Sequence, residues 1–286
     1  MYLWTVAVPT ENISERNIYE GSIKTLWGTN GEKIKIGKVK ALIVEPQNNR
    51  INVGLLWIHG GGYILGMKEM VYMGRATELA IKYGVKVVSP GYRLAWHKPY
   101  PAAFDDCYEV LEYMSREIGF DAIMVGGESA GGGLCAAVCM KARDNNIDIA
   151  FQMPLYPMLS NLDTESSKDN HGKIWNTRRN HFGWKMYLRK NAGNEVSPYA
   201  SPARQTDYHN LPPCYTFVGD GEPFYAETLK YVEDLRSAGV SADVDVYHTD
   251  VHAFDMIKPN DEMSIQAIRV FEEHFEAALQ VIKWNL

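Results

Sequence analysis

Gly127-Glu128-Ser129-Ala130-Gly131 follows the apolar run Ala122-Ile123-Met124-Val125 and precedes the small, helix-compatible run from Leu134 to Met140. The order is strand, sharp turn, helix, with a serine at the apex. A backbone bent this tightly leaves no room for side chains two residues to either side of the serine, so glycines flank it. The strained turn lifts the hydroxyl above the end of a sheet. Taken alone, the pentapeptide also suits a glycine-rich strand-to-helix turn, such as a phosphate cradle.

A second glycine-rich turn narrows the choice. His59-Gly60-Gly61-Gly62-Tyr63 follows the apolar strand pattern Val53-Gly54-Leu55-Leu56-Trp57-Ile58. Three consecutive glycines expose backbone N–H groups and let another group approach closely. In acyl transfer the carbonyl oxygen becomes an oxyanion, which preorganised N–H donors stabilise. A His-Gly-Gly-Gly turn accompanies the Gly-x-Ser-x-Gly elbow in lipases and esterases. The expected donors are the N–H groups of Gly61, Gly62 and Ala130.

A serine hydroxyl is a weak nucleophile; it needs a base, and the base needs an orienting carboxylate. Of the histidines after Ser129, His252 follows the strand-like run from Ala242 to His248 and precedes the last amphipathic helix by about ten residues. It therefore falls in a loop at a strand end, within reach of the serine. His171 and His181 lie in a polar, aromatic stretch, His248 reads as a strand residue, and His274 lies within a helical pattern. For the carboxylate, the strand Cys214-Tyr215-Thr216-Phe217-Val218 runs into Gly219-Asp220-Gly221-Glu222-Pro223-Phe224. Asp220 is the commoner residue type for the role. Glu222 is better placed, because Pro223 suits a helix start and leaves Glu222 at the strand-to-helix corner. Either acid could instead cap the following helix.

From about Leu42 onward the chain resembles the hormone-sensitive-lipase family of serine carboxylesterases, in the α/β-hydrolase superfamily. The resemblance rests on His59-Gly60-Gly61-Gly62, Tyr92-Arg93-Leu94-Ala95, Pro101-Ala102-Ala103-Phe104-Asp105-Asp106, Gly127 to Gly132, Ser197-Pro198-Tyr199-Ala200-Ser201-Pro202 and His252-Ala253-Phe254. The family's acid motif, Asp-Pro-Leu followed by a helix ending in Ala-Gly-Val, aligns without a gap onto Glu222-Pro223-Phe224 and Ala238-Gly239-Val240. The resemblance thus implies Ser129, His252 and Glu222 as the triad, with Asp220 as the alternative acid. Three departures stand out: glutamate replaces the usual aspartate, Trp96-His97 replaces the Pro-Glu after Tyr-Arg-Leu-Ala, and Ala253 stands where glycine is frequent. The implied activity is hydrolysis of short-chain acyl esters through an acyl-enzyme, with no metal or cofactor. A peptidase or amidase on the same fold, and a non-catalytic ligand-binding module, are the alternatives.

Composition sets outer bounds. The 286 residues carry a net charge of −6 and are 46% hydrophobic, which suits one large α/β domain with a sizeable core. Basic residues are scattered, so no nucleic-acid partner is expected. No uncharged apolar run reaches membrane-spanning length, and no basic stretch precedes an apolar run at the N-terminus. Cys107, Cys135, Cys139 and Cys214 all fall inside helix or strand patterns. Cys135 and Cys139, spaced i, i+4, could hold a metal, but with no further cysteine or histidine nearby they read as buried free thiols. The expectation is a reduced, cytoplasmic protein whose partner is a small-molecule ester, with a homodimer left open.

Strand patterns at Ser22–Trp27, Lys38–Val44, Val53–Ile58, Lys86–Ser89, Ala122–Gly126, Ala150–Leu155, Tyr215–Val218 and Ala242–Tyr247 alternate with helical ones at Val71–Tyr83, Ala102–Ile118, Gly132–Arg143, Tyr225–Ala238 and Glu262–Ile282. Alternation of this kind means a mostly parallel sheet with helices on both faces, here eight-stranded with its first strands antiparallel. One α/β-hydrolase domain over residues 1–286 is expected. The polar stretch of about 160–202 breaks the rhythm and reads, with about 1–20, as a small cap. Its aromatic residues, Trp175 and Trp184 among them, are expected to close over a compact substrate.

Overall fold

The computed structural model describes residues 28–191, 193 and 195–286. The expected strand Ser22–Trp27 and the N-terminal part of the expected cap lie outside the described residues. Eight strands form one sheet: β1 (Thr29–Ile36), β2 (Val39–Pro46), β3 (Val53–Ile58), β4 (Lys86–Gly91), β5 (Ala122–Glu128), β6 (Phe151–Leu155), β7 (Cys214–Gly219) and β8 (Ala242–Tyr247), in the order β1-β2-β4-β3-β5-β6-β7-β8. The β1–β2 and β2–β4 pairs are antiparallel and the rest parallel. Among the described residues the first strand is Thr29–Ile36, a segment whose polar run Asn30 to Lys33 masks its two buried isoleucines, Ile34 and Ile36.

Side chains of the central strands alternate between two cores. Leu55 and Trp57 of β3 pack on one face, against α1 (Arg75–Tyr83) and the long C-terminal helix of Glu262–Asn285. Leu56 and Ile58 pack on the other, against α2 (Ala102–Tyr113) and α3 (Ala130–Asp144). With both faces covered, these strands read as continuous apolar runs. The C-terminal helix buries Phe271, Phe275, Leu279 and Ile282 along one stripe, the periodicity its sequence shows.

Register positions the chemistry. Ile58 of β3 lies opposite Gly127 of β5, so the chain leaves the sheet at His59 and at Glu128 side by side. Gly219 of β7 lies opposite Tyr247 of β8, so the loops carrying Glu222 and His252 also emerge together. Between β6 and β7 the polar stretch holds a helix that the hydrophobic pattern misses, α4 (Thr177–Leu188), whose N-cap Asn176 accepts the Arg179 N–H. The remaining α-helices among the described residues are α5 (Tyr225–Ser237), α6 (Phe254–Ile257) and α7, the C-terminal helix already described.

Candidate active site

Ser129 ends the turn between β5 and α3 with φ 56° and ψ −118°, a sparsely populated conformation for a non-glycine residue. The turn is held from two sides: Ser129 N–H donates to the Leu155 carbonyl at 3.0 Å, and the Ser129 carbonyl accepts from Met158 N–H at 2.9 Å. The flanking glycine at 131 is required by contact, since a Cβ there would meet the Ile58 carbonyl oxygen at 2.0 Å. The Ser129 hydroxyl lies 2.9 Å from His252 Nε2. Across the ring, Nδ1 of His252 hydrogen-bonds Oε2 of Glu222. The second carboxylate oxygen of Glu222 accepts the Gly219 N–H at 2.8 Å, so the buried acid is held at both oxygens.

Asp220 sits elsewhere. One of its oxygens pairs with His248 Nδ1 at 2.8 Å and the other accepts the Thr249 N–H at 3.1 Å. The hydrogen bond that the exposed His248 imidazole donates to Asp220 pushes its pKa up. The structure thus brings Ser129, His252 and Glu222 into one chain of hydrogen bonds and sets Asp220 at its edge, tying two surface turns together. The remaining histidines weighed in the sequence are also outside that chain: His171 and His181 pair with Asp169 and Asp163, and His274 stacks on Tyr215.

Gly61 and Gly62 line the same cavity as Ser129 and His252. Gly61 takes φ +115° and its carbonyl accepts the N–H groups of Ile64 and Leu65 at 3.0 and 2.9 Å, a turn that a side chain at this position would disrupt. The third expected donor, the Ala130 N–H, opens α3, where the first N–H groups have no partner within the helix and the dipole favours negative charge. His59 braces this loop from below. It stacks on Tyr92 at 4.1 Å and donates Nδ1–H to the Gly60 carbonyl at 2.8 Å, while Nε2 is buried without a partner among the described residues. Burial lowers its pKa to about 4, so the ring is neutral at physiological pH.

Besides the glutamate at 222 already described, the other two departures from the family pattern have a structural counterpart in the neighbouring loops. The loop that lacks the Pro-Glu dipeptide is held by the Arg93–Asp106 pair and by Arg189, which donates to the carbonyls of Ala95 and Trp96 at 3.1 and 2.7 Å. Ala253 adopts φ 56° and ψ 42°, the left-handed region. An alanine carries roughly 1–2 kcal/mol of strain there that a glycine would not. Just beyond it, Asp255 forms a buried ion pair with Arg75, whose guanidinium lies 5.6 and 5.3 Å from the ring centres of Phe217 and Phe271. This pair anchors the histidine loop to α1.

The cavity beside Ser129 measures about 230 Å³ and is walled by Trp57, Tyr156, Trp175, Met256 and Ile257 among others. Glu128 also lines it; burial raises its carboxyl pKa, against the opposing pull of the Arg75 charge and of the Trp57 indole N–H, which donates at 2.9 Å. Trp175 comes within 6.5 Å of the His252 ring, centre to centre. Trp184 does not reach the cavity. It is buried against Tyr63 and Tyr187 in the core, because its place on α4 points to the α2–α3 side of the sheet. The four cysteines are buried free thiols.

One acid of the site region escaped sequence reading. Glu227, buried on α5, accepts the N–H groups of Leu159 and Ser160 at 2.6 and 3.1 Å, in the loop that supports the serine turn. Burial, opposed by these two bonds and aided by the Glu222 charge, pushes its pKa up to about 8 from an ordinary value of 4.5. The folded chain therefore keeps a proton that the unfolded chain releases, and stability falls as pH rises from about 4.5 to 8. Glu227→Gln, which keeps an acceptor oxygen and cannot ionise, should gain on the parent between pH 5 and pH 9. Thermal unfolding of both proteins at the two pH values measures this; a difference that does not change with pH contradicts it.

A sequence family described by the alpha/beta hydrolase fold matches residues 55–256. Esterase LipI of Mycobacterium tuberculosis is 32% identical over 209 residues, which make up 70% of this chain and 65% of LipI. An arylesterase of Saccharolobus solfataricus is 31% identical over 226 residues, 72% of this chain and 69% of the relative. Among solved structures, a bacterial heroin esterase superposes with a TM-score of 0.81 at 31% identity, covering 93% of this chain and 87% of its own. Among the described residues, no helix is long and apolar enough to cross a membrane. The chain belongs to the α/β-hydrolase fold family, within its hormone-sensitive-lipase-like carboxylesterase branch.

Proposed function

We propose that the protein is a serine carboxylesterase acting on short-chain acyl esters. The buried hydrogen-bond chain from Ser129 through His252 to Glu222, opening on a small cavity, carries this reading. Ser129 Oγ attacks the ester carbonyl while His252 Nε2 takes its proton; Glu222 holds the tautomer with the proton on Nδ1 and stabilises the imidazolium. The N–H groups of Gly61, Gly62 and Ala130 stabilise the oxyanion. His252 then returns the proton to the departing alcohol, and water cleaves the acyl-enzyme by the same steps in reverse.

The stretch of about 160–202 acts as a cap over the strand ends. Trp175 on it limits the space beside the serine, and the cavity of about 230 Å³ suits a short acyl group. Along a series of p-nitrophenyl esters, kcat/KM should peak at acetate to butyrate and drop by at least about tenfold at long chains. Better turnover of long-chain emulsified esters overturns the short-chain assignment. Labelling of Ser129 by a fluorophosphonate probe tests the catalytic assignment independently of chain length.

A further inference from the structure

A second recess adjoins the catalytic cavity across Ile174 and Trp175, which line both. It is an open groove of about 810 Å³ whose apolar wall includes Ile64, Leu65 and Phe182. Leu65 and Phe182 are 65% and 53% exposed, large apolar side chains kept at the surface beside a reaction centre. Contiguous exposed apolar surface of this kind marks binding.

The charge of the groove is as informative as its apolar wall. In a chain of net charge −6, the charged residues lining it are Arg178 and Arg179, and no acid joins them. Arg179 is engaged by the carbonyls of Lys173 and Ile174. Arg178 is exposed and forms no hydrogen bond or ion pair among the described residues. Helix stability does not account for it either, since a cation in the first turn of α4 opposes the helix dipole.

We propose that this groove receives the alcohol arm of the ester, and that Arg178 pairs with a carboxylate at the far end of that arm. The proposal rests on the esterase reading above. A short acyl group fills the cavity beside Ser129, so the rest of the ester passes the rim formed by Ile174 and Trp175. An aryl or alkyl stem covers Leu65 and Phe182, and the guanidinium fork matches the planar carboxylate through two parallel N–H bonds. In the transfer step the bond from Ser129 Oγ to the carbonyl carbon forms and the bond from that carbon to the alcohol oxygen breaks. The serine proton passes through His252 to that oxygen, and the freed hydroxy acid leaves through the open groove.

The test compares three acetate esters: phenyl acetate, the acetyl ester of 3-(4-hydroxyphenyl)propanoate, and the acetyl ester of the matching propanamide. In the parent enzyme the carboxylate should exceed the amide about tenfold in kcat/KM, mainly through KM, as one charge-assisted pair provides. The gap should shrink in about 0.5 M salt, where an exposed pair is screened. Arg178→Gln should erase the preference and leave phenyl acetate hydrolysis unchanged. Equal rates for carboxylate and amide in the parent, or a preference that survives in Arg178→Gln, overturn the proposal. So does a preference for phenyl hemisuccinate, which carries its carboxylate on the acyl side. Failure of the parent to hydrolyse phenyl acetate at all removes the esterase reading and this proposal together.

Discussion

Ser129→Ala should lower turnover of p-nitrophenyl acetate by on the order of 10⁴-fold or more, with the folded structure retained. In the proposed mechanism the serine oxygen is the atom that forms the acyl bond, and among the described residues no other hydroxyl hydrogen-bonds the His252–Glu222 pair. Alanine keeps the Cβ, so the turn at φ 56° is neither relieved nor worsened, and the backbone bonds to Leu155 and Met158 remain. The change deletes one side-chain hydrogen bond, worth about 1 kcal/mol, and moves the melting temperature by a few degrees at most. The small residual rate comes from the oxyanion donors and from substrate binding, which do not need the hydroxyl. Near-native turnover by the variant, after removal of parent enzyme, contradicts the serine mechanism.

The sheet was legible because burial on both faces leaves strands as uninterrupted apolar runs, and because each run ends in a turn with its own chemistry. What periodicity could not supply lies where polar residues occupy buried positions. The inward stripe of α4 is Asn180, Gly183, Trp184, Tyr187 and Leu188, helical in spacing but headed by an asparagine and a glycine. Asn180 belongs there because its side-chain oxygen faces the Trp175 indole N–H, 3.4 Å away, a partner fixed only by the tertiary fold. The same ignorance of facing misled the expectation for Trp184. A tryptophan in a polar stretch reads as a cap residue, yet its position on the buried stripe sends it to the core while Trp175, just before the helix, meets the cavity.

The site divides in the same manner. Ser129, His252, Gly61 and Gly62 announce themselves through local turn chemistry. Arg75 and Glu227 do not, because each acts through a partner far away in sequence: Arg75 on Asp255 across 180 residues, Glu227 on the Leu159 and Ser160 N–H groups across 68 and 67. No short pattern marks such pairs. Ala253 is the reverse case, since the departure from glycine is plain in the sequence and only the left-handed backbone explains why glycine is the usual choice.

The choice between two acids yields the sharpest contrast between variants. Glu222→Gln should cut kcat by on the order of 10⁴-fold with little change in melting temperature. The amide oxygen can still accept the Gly219 N–H, as Oε1 does now, so the buried side chain stays in place. The amide nitrogen then faces His252 Nδ1, and as a donor it requires that nitrogen to accept. The ring proton is driven to Nε2, where it points at Ser129 and leaves no lone pair to take the serine proton. Asp220→Asn removes only an exposed pairing with His248 and weakens one bond to the Thr249 N–H. That loss at an exposed, solvent-screened pair lowers the melting temperature only slightly and leaves kcat mostly unchanged. Steady-state kinetics and thermal unfolding of the two variants decide the matter. A collapse of kcat in Asp220→Asn, with Glu222→Gln close to the parent, would move the orienting role to Asp220 and require the β7 exit loop to rearrange in solution.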